Sequence, residues 1–528
     1  MANSTELSKI LAKVKDFFMK IWQDFLESMT IGKEMNLNTK KLVIAFISTL
    51  FLFSLLIVAW VEGARKKFVS YPDAIVTSKN EGCVSCHSEK SPGIVLQWKE
   101  SQHSQSGIGC LDCHGAKKGE PDAFEHEGDF IATIVSPKDC SSCHSKEGVE
   151  FQESHHADAG KILGSLDNIL AEVVEGHTTF DPHGKKLITS PAAVSGCMQC
   201  HGSVVKVLEN GKLDPETWPN TGMGRINPDG SKGSCSACHQ RHNFSKVQAR
   251  QPENCGRCHL GPDHPQLEIY QESKHGIAFE ANRDRLTAMM SEKEWIPGVH
   301  FEQGPTCSTC HMGATRDLES THDVGARISW TLRPPVSEKI DEAAKKKGLE
   351  VKPWEERRKD MQNVCQSCHG SEWVANWYIQ YDNLINLYNN KFGIPATNLY
   401  KMARSKNLIT SNVTFDDKIE FTYFYLWHHE GRRARHGAAM MGPDYTQWHG
   451  MFEVAERFYA EFIPELKEVI AHNKRLGGQK AADAFALEAA MNEVLNSEMH
   501  RWYLGKMSEG EKAARKKQAE EFKKRYAQ

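Results

Sequence analysis

The stretch Cys83-Val-Ser-Cys86-His87 decides how this chain is read. The same five-residue pattern, Cys-x-x-Cys-His, returns at Cys110/Cys113/His114, Cys140/Cys143/His144, Cys197/Cys200/His201, Cys235/Cys238/His239, Cys255/Cys258/His259, Cys307/Cys310/His311 and Cys365/Cys368/His369. These eight copies use all 16 cysteines of the chain. Two thiols at this spacing form thioethers with the two vinyl groups of a haem, and the adjacent histidine turns under the ring as an iron ligand. A zinc ribbon shares Cys-x-x-Cys but does not require histidine next in the chain. A disulfide framework has no use for that histidine either. The pattern therefore implies eight covalently bound c-type haems.

Outward from the motifs, composition supports a cofactor protein. In 528 residues the formal net charge is −3, and no field of lysine and arginine marks a nucleic-acid surface. Hydrophobic residues make up 40%, a low share for a chain of this length unless buried porphyrins complete the core. The 25 histidines exceed what the motifs need. A unit Glu-Ser-x-His recurs at Glu100-Ser101-Gln102-His103, Glu153-Ser154-His155-His156 and Glu272-Ser273-Lys274-His275. Placed at the end of a short helix, it offers the second axial imidazole that a low-spin haem needs. His103, His155, His156 and His275 are candidates on this ground, with either or both of His155 and His156 open. His126, His242 and His322 are further candidates.

Four regions follow from pattern. Residues 1–41 place Leu7, Ile10, Leu11, Val14, Phe17, Phe18, Ile21 and Phe25 at three- and four-residue steps between lysines. That spacing predicts an amphipathic helix, for the cytoplasmic membrane surface or for a partner. Residues 42–60, Leu42 to Trp60, carry no charge and span roughly 28 Å at ~1.5 Å per residue, which predicts a membrane anchor. Lysines and arginines flank both ends, so the haem motifs, which are loaded outside the cytoplasm, set the orientation. Residues 72–370 form the haem-binding region, whose Gly-, Pro- and Ser-rich gaps leave space for turns and short helices rather than a sheet. Residues 371–528 read as long helices, over Trp373–Asn390, Asp416–His428, Tyr445–Leu476 and Ala481–Leu504, with a charged tail to Tyr526. The fold class is mainly α: a multihaem cytochrome c region, then a long-helix domain, with an N-terminal transmembrane helix.

Two stretches stand apart from this pattern: Cys258-His259-Leu-Gly-Pro-Asp263-His264-Pro-Gln, and Asp444-Tyr445-Thr-Gln-Trp448-His449-Gly in a Gly- and Met-rich segment. With eight motifs and a helical C-terminal region they resemble the octahaem hydroxylamine oxidoreductases over approximately residues 75 to 505. The resemblance implies a homotrimer whose catalytic haem is the fourth, held by Cys197, Cys200 and His201, the other seven haems being six-coordinate. It places Asp263 and His264 on the open face of that haem as proton-handling groups. In oxidising members a tyrosine from the neighbouring subunit is linked to the catalytic porphyrin. Tyr445 matches that position, with Tyr423 and Tyr425 as alternatives. The expected reaction is oxidation of hydroxylamine to nitric oxide or nitrite, with electrons leaving to a quinone-linked complex or a c-type cytochrome. Reduction of nitrite or hydroxylamine to ammonia, fed from quinol, is the alternative, and a non-catalytic electron conduit is the third reading.

Overall fold

One helical turn underlies each haem motif. In the computed structural model, which describes residues 4–31, 34–65, 73–164, 173–174, 183–184, 186, 190–290, 295–409 and 414–527, the backbone N–H of the motif histidine donates to the carbonyl of the first cysteine. The distances are 2.9 Å for His144 to Cys140, 3.0 Å for His239 to Cys235, 3.0 Å for His259 to Cys255 and 2.9 Å for His369 to Cys365. A bond from i+4 to i puts residues i, i+3 and i+4 on one face, so both thiols and the imidazole share a side. The turns are short, and local side chains start them. Asp112 accepts from the Gly109 N–H at 2.8 Å, Asp139 from Ser136 at 2.7 Å and Thr309 from Thr306 at 3.1 Å, each satisfying a backbone donor at the start of its turn.

The chain divides into two compact units, residues 1–72 and 73–528. In the first, a helix runs over Ser4–Ile31 and a second over Leu37–Arg65. Within the second, the 24 residues Leu37–Trp60 are long and apolar enough to cross a membrane. On the first helix Phe17 and Phe18 are exposed, whereas the side chains of Leu7, Ile10, Leu11 and Val14 lie outside the described residues.

In the second unit the haem region is built from helices of 4 to 13 residues joined by loops. One β-hairpin departs from the expectation of turns and helices alone: Ala123–His126 pairs antiparallel with Asp129–Ala132. Glu127 and Gly128 connect the strands with φ of 51° and 90°, and positive φ at both central residues matches the right-handed twist of a tight hairpin.

Beyond residue 370 the helices lengthen: Ser371–Tyr388, Ile394–Ser405, Ile463–Leu476 and Gly478–Asn496. Tyr388, Phe392, Leu426, Phe458, Phe462, Leu466 and Leu487 meet in their common core at 2% exposure or less. Each such side chain stabilises the fold by ~1.5–3 kcal/mol relative to exposure. The expected single helix Tyr445–Leu476 is instead a succession of α and π turns, with wider π turns at Gln447–Phe452 and Arg457–Phe462 and another at Tyr425–Glu430. The helix expected over Asp416–His428 begins at Lys418, after the cap supplied by Asp417. Ile394–Ser405 is a helix that the sequence reading passed over.

Candidate functional site

The eight motif turns converge on one continuous cavity of about 3200 Å³, to which every motif contributes. An ordinary small-molecule pocket measures ~300–1,000 Å³, so this volume suits several large planar groups. The histidines sharpen that test. Six motif histidines each face a second imidazole: His87 and His126 at 6.1 Å between ring centres, His114 and His242 at 6.3 Å, His144 and His103 at 6.2 Å, His239 and His322 at 6.4 Å, His259 and His156 at 6.1 Å, and His369 and His275 at 6.1 Å. A metal–imidazole bond is ~2.0–2.1 Å. With about 1 Å from nitrogen to ring centre on each side, two imidazoles across one metal lie roughly 6 Å apart. The residues fit haem with two axial histidines at these six motifs.

Local chemistry explains how the second imidazoles are aimed. In the Glu-Ser-x-His units the serine is buried and breaks the helix. Ser101 Oγ donates to the Trp98 carbonyl at 2.6 Å and accepts from the Ser104 N–H at 3.1 Å. Ser273 does the same with Tyr270 at 2.6 Å and Gly276 at 3.1 Å. Ser154 donates to Phe151 at 2.7 Å and accepts from His156 at 3.2 Å. One hydroxyl thus ends one helix and starts the next turn, and the residue two positions on points into the cavity. That register selects His156, which faces His259. His155 lies elsewhere, beside Gly325 in the loop whose Val324 carbonyl receives His311 Nδ1 at 3.2 Å. His126 closes the first hairpin strand, and Phe244 packs between His103 and His242.

Electrostatics keeps these rings ready to ligate. Burial lowers His156, His239 and His242 to about 4 and His259 to about 3, so each is a neutral donor at pH 7. The Ala132 carbonyl holds His114 Nδ1 at 2.9 Å, which leaves the other ring nitrogen for a metal.

The thiols show the order of the motifs in space. Cys83 meets Cys110, Cys140 meets Cys235, Cys255 meets Cys307, and Cys200 meets Cys258. Cys113 neighbours Cys140, Cys238 neighbours Cys255, and Cys310 neighbours Cys365. The first, second, third, fifth, sixth, seventh and eighth motifs therefore form a line, and the fourth joins it at the sixth.

That junction carries Asp263 and His264, in the loop between the sixth motif and the helix Gln266–Glu272. His264 Nε2 lies 3.5 Å from Asp263 Oδ1, its ring is 6.1 Å from His259, and both His264 and His201 line the cavity. Three residues complete the cluster. Arg432 donates to Asp263 Oδ2 at 3.1 Å and to the Arg333 carbonyl at 2.9 Å. His428 Nε2 is 3.9 Å from the same carboxylate oxygen. His436 is buried on the cavity wall, 7% exposed, near His264 and His259. The sequence alone does not single out His428 or Arg432, which lie on the consecutive turns Tyr425–Glu430 and Gly431–Met440. The run His428-His429-Glu430-Gly-Arg432-Arg433-Ala-Arg435-His436 was the available signal, because so many ionisable groups do not belong in an apolar core.

Tyr445 sits half-buried on the turn Pro443–Thr446, its backbone N–H held by Glu272 at 3.2 Å, beside exposed Trp448 and Phe452. It is not among the cavity-lining residues of its own chain. Tyr423 is core packing, stacked on Tyr400 at 4.2 Å and donating to Thr397, and Tyr425 stands against His429 at 4.9 Å.

Comparisons with known proteins agree with this geometry. Residues 221–386 match the family described as seven times multi-haem cytochrome CxxCH, residues 181–260 the cytochrome c7 and related cytochromes c, and residues 61–115 the cytochrome c554 and c-prime family. A curated relative from Kuenenia stuttgartiensis, "Probable nitrite reductase-hydroxylamine oxidoreductase fusion protein", is 25% identical over 358 residues, which is 59% of this chain and 36% of that protein. The chain thus spans about a third of that relative's length. A solved structure named as a hypothetical multiheme protein is 26% identical with a TM-score of 0.65, covering 75% of this chain and 97% of its own. A reducing HAO-like protein complex of Kuenenia stuttgartiensis matches at 18% identity and a TM-score of 0.48, over 79% of this chain and 87% of that one. This chain is a multihaem c-type cytochrome carrying covalently bound haem, and over part of its length it is similar to the Kuenenia protein named as a nitrite reductase-hydroxylamine oxidoreductase fusion.

Proposed function

We propose that the chain is an octahaem oxidoreductase of inorganic nitrogen compounds, with its reaction at the fourth motif. The carrying observation is that Cys200 of the fourth motif meets Cys258 of the sixth, the motif that Asp263 and His264 follow in the chain, which supports a site shared by the two. Haem held there would supply an iron for the nitrogen of hydroxylamine or nitrite, and haem at the other seven motifs would carry the electrons. His103, His126, His156, His242, His275 and His322 would hold haem together with the motif histidines at six of those seven, and His155, beside Gly325, would do so at the His311 motif.

The protein's part is proton handling and exclusion of water. Asp263 and His264 stand close enough to exchange a proton, and a substrate beside His264 gives or takes it there. Arg432, 4% exposed, fixes the carboxylate and keeps it from turning away. The surrounding wall of Trp427, Met440 and Met441 is apolar. This reading is supported by the Kuenenia relative, whose name joins a nitrite reductase to a hydroxylamine oxidoreductase.

The direction we propose is oxidation of hydroxylamine to nitric oxide or nitrite. Tyr445 is half-exposed, with Trp448 and Phe452 exposed nearby in the chain, which supports the reading that it meets a neighbouring copy in a homotrimer. The apolar helix Leu37–Trp60 would anchor the haem region on the outer face of a membrane, near a quinone-linked complex or a c-type cytochrome. Residues 1–41, 42–60, 72–370 and 371–528 remain the domains of this account. Mass spectrometry of digested, denatured protein tests the direction. A peptide containing Tyr445 joined to one containing Cys197 and Cys200 is the expected product. Tyr445 released as an ordinary peptide overturns the oxidising assignment in favour of the reductase.

A further inference from the structure

Behind Asp263 the C-terminal helices hold a second cavity, of about 490 Å³, that the chemistry described above does not use. Four carboxylates line it: Glu430, Glu453, Glu456 and Glu461. Glu456 is exposed, so the cavity meets solvent. Glu430 is 3% exposed; its Oε1 accepts from Arg457 at 2.9 Å, while its buried Oε2 has no hydrogen-bond partner among the described residues. That oxygen is left to the cavity, where water from the solvent-facing side can reach it. Arg433 and Arg457 share the lining, and two guanidinium groups repel a metal cation.

Two consecutive histidines bridge this cavity and Asp263. His428 Nε2 is 3.9 Å from Asp263 Oδ2, the ring centres of His428 and His429 are 5.3 Å apart, and His429 lines the cavity. In a regular α-helix, neighbouring side chains point about 100° apart. Here both lie in the wide turn Tyr425–Glu430, a π turn, and such turns recur at functional sites.

We propose that this turn is a proton conduit linking Asp263 to solvent, with His428 and His429 as the relay and the glutamate cavity as its outer reservoir. It rests on the reading of Asp263 and His264 as the proton-handling pair. A proton leaving Asp263 passes to His428, directly after a small rotation or through one water, and then to His429. His429 gives it to a cavity carboxylate, which releases it to bulk water. Each group then returns to its starting protonation state, and no electron moves. Oxidation drives the flow outward and reduction draws it inward. His429 is lowered to about 4, first by burial and then by His428, so at pH 7 it is a neutral ring with one donor and one acceptor nitrogen. The charged and titratable groups that face it are Asp263, Arg432, Arg433 and His428, with Tyr425 stacked on its ring and Glu430, Glu453, Glu456, Arg457 and Glu461 sharing its cavity.

The test uses the full haem-loaded protein, with hydroxylamine and an artificial acceptor or nitrite and reduced viologen. His429→Gln is expected to lower kcat at least about tenfold, less than the ~10²–10⁴-fold of a group that acts on the substrate itself, since His429 only relays the proton. KM and the haem spectrum should stay unchanged, the solvent deuterium isotope effect on kcat should rise, and added imidazole should restore the rate. Glu456→Gln, at the surface, should raise the isotope effect in the same sense. Should Asp263→Asn slow turnover while His429→Gln and Glu456→Gln keep the wild-type rate and isotope effect, the conduit is wrong and the pair stands. Should Asp263→Asn leave turnover intact, the pair falls and the conduit with it. A slow His429→Gln protein with an unchanged isotope effect and no imidazole rescue assigns His429 a merely structural role and also overturns the conduit.

Discussion

Replacing His156 by alanine tests the ligand geometry at its most exacting point, because two adjacent histidines compete for the assignment. The structure sets His156 opposite His259 at 6.1 Å and places His155 beside the loop that orients His311. On the proposed assignment each imidazole would serve a different iron. With seven six-coordinate haems, one loses a strong-field ligand in His156→Ala, so about one-seventh of the low-spin haem signal should become high-spin. His155→Ala should convert a similar share at a second haem, and the double variant about two-sevenths. Magnetic circular dichroism of the fully oxidised protein separates the two spin states, and added imidazole should refill each vacancy. A silent His156→Ala spectrum refutes the pairing rule. A double variant no different from His156→Ala shows that both histidines address one iron.

Three further outcomes follow from particular contacts. Ser273→Ala removes a hydroxyl that caps two helical segments and should destabilise the fold by about 0.5–2 kcal/mol, read as a lower denaturation midpoint at unchanged haem content. Leu426→Ala, at 0% exposure in the C-terminal core, should cost about 2–5 kcal/mol by the same measurement. Glu511 is lowered to about 2 by Ser508 and Arg501, against an ordinary value of 4.5. A depressed acid supports its helix fully above the ordinary value and loses that support as pH falls toward 2. The protection of the Lys512 amide, which donates to the Ser508 carbonyl, measured as its exchange rate relative to the intrinsic rate at each pH, should therefore fall between pH 4.5 and 2, and Glu511→Gln should show the lower protection already at pH 7.

What the sequence disclosed and what it hid divide along the range of the interactions. The motif turn needs only the bond from residue i+4 to residue i, so Cys-x-x-Cys-His announces its own geometry. The Glu-Ser-x-His units are local in the same way, since the serine reaches three residues back and three forward at most. Which iron each histidine meets is a long-range matter: His239 and His322 are brought together by packing, and no spacing encodes that pair. The hairpin at residues 123–132 escaped notice because its strands are four residues long and its turn is Glu-Gly rather than Asn-Gly. Ile394–Ser405 was passed over although Pro395 sits in its first turn, where a missing N–H costs nothing. The proton cluster shows the deeper limit. Asp263 was visible as a motif residue, but Arg432 and His428 lie about 170 positions away and join it only through the fold.

The central claim, a single substrate-binding haem at the fourth motif, meets its most direct test in a titration of the oxidised protein with hydroxylamine and with nitrite, followed by magnetic circular dichroism. One haem of the eight should respond, and a variant with Cys197 and Cys200 replaced by serine should lose that response while the six paired-histidine haems keep their spectra. No response in the intact protein, or a response that survives loss of the fourth motif, would contradict the account.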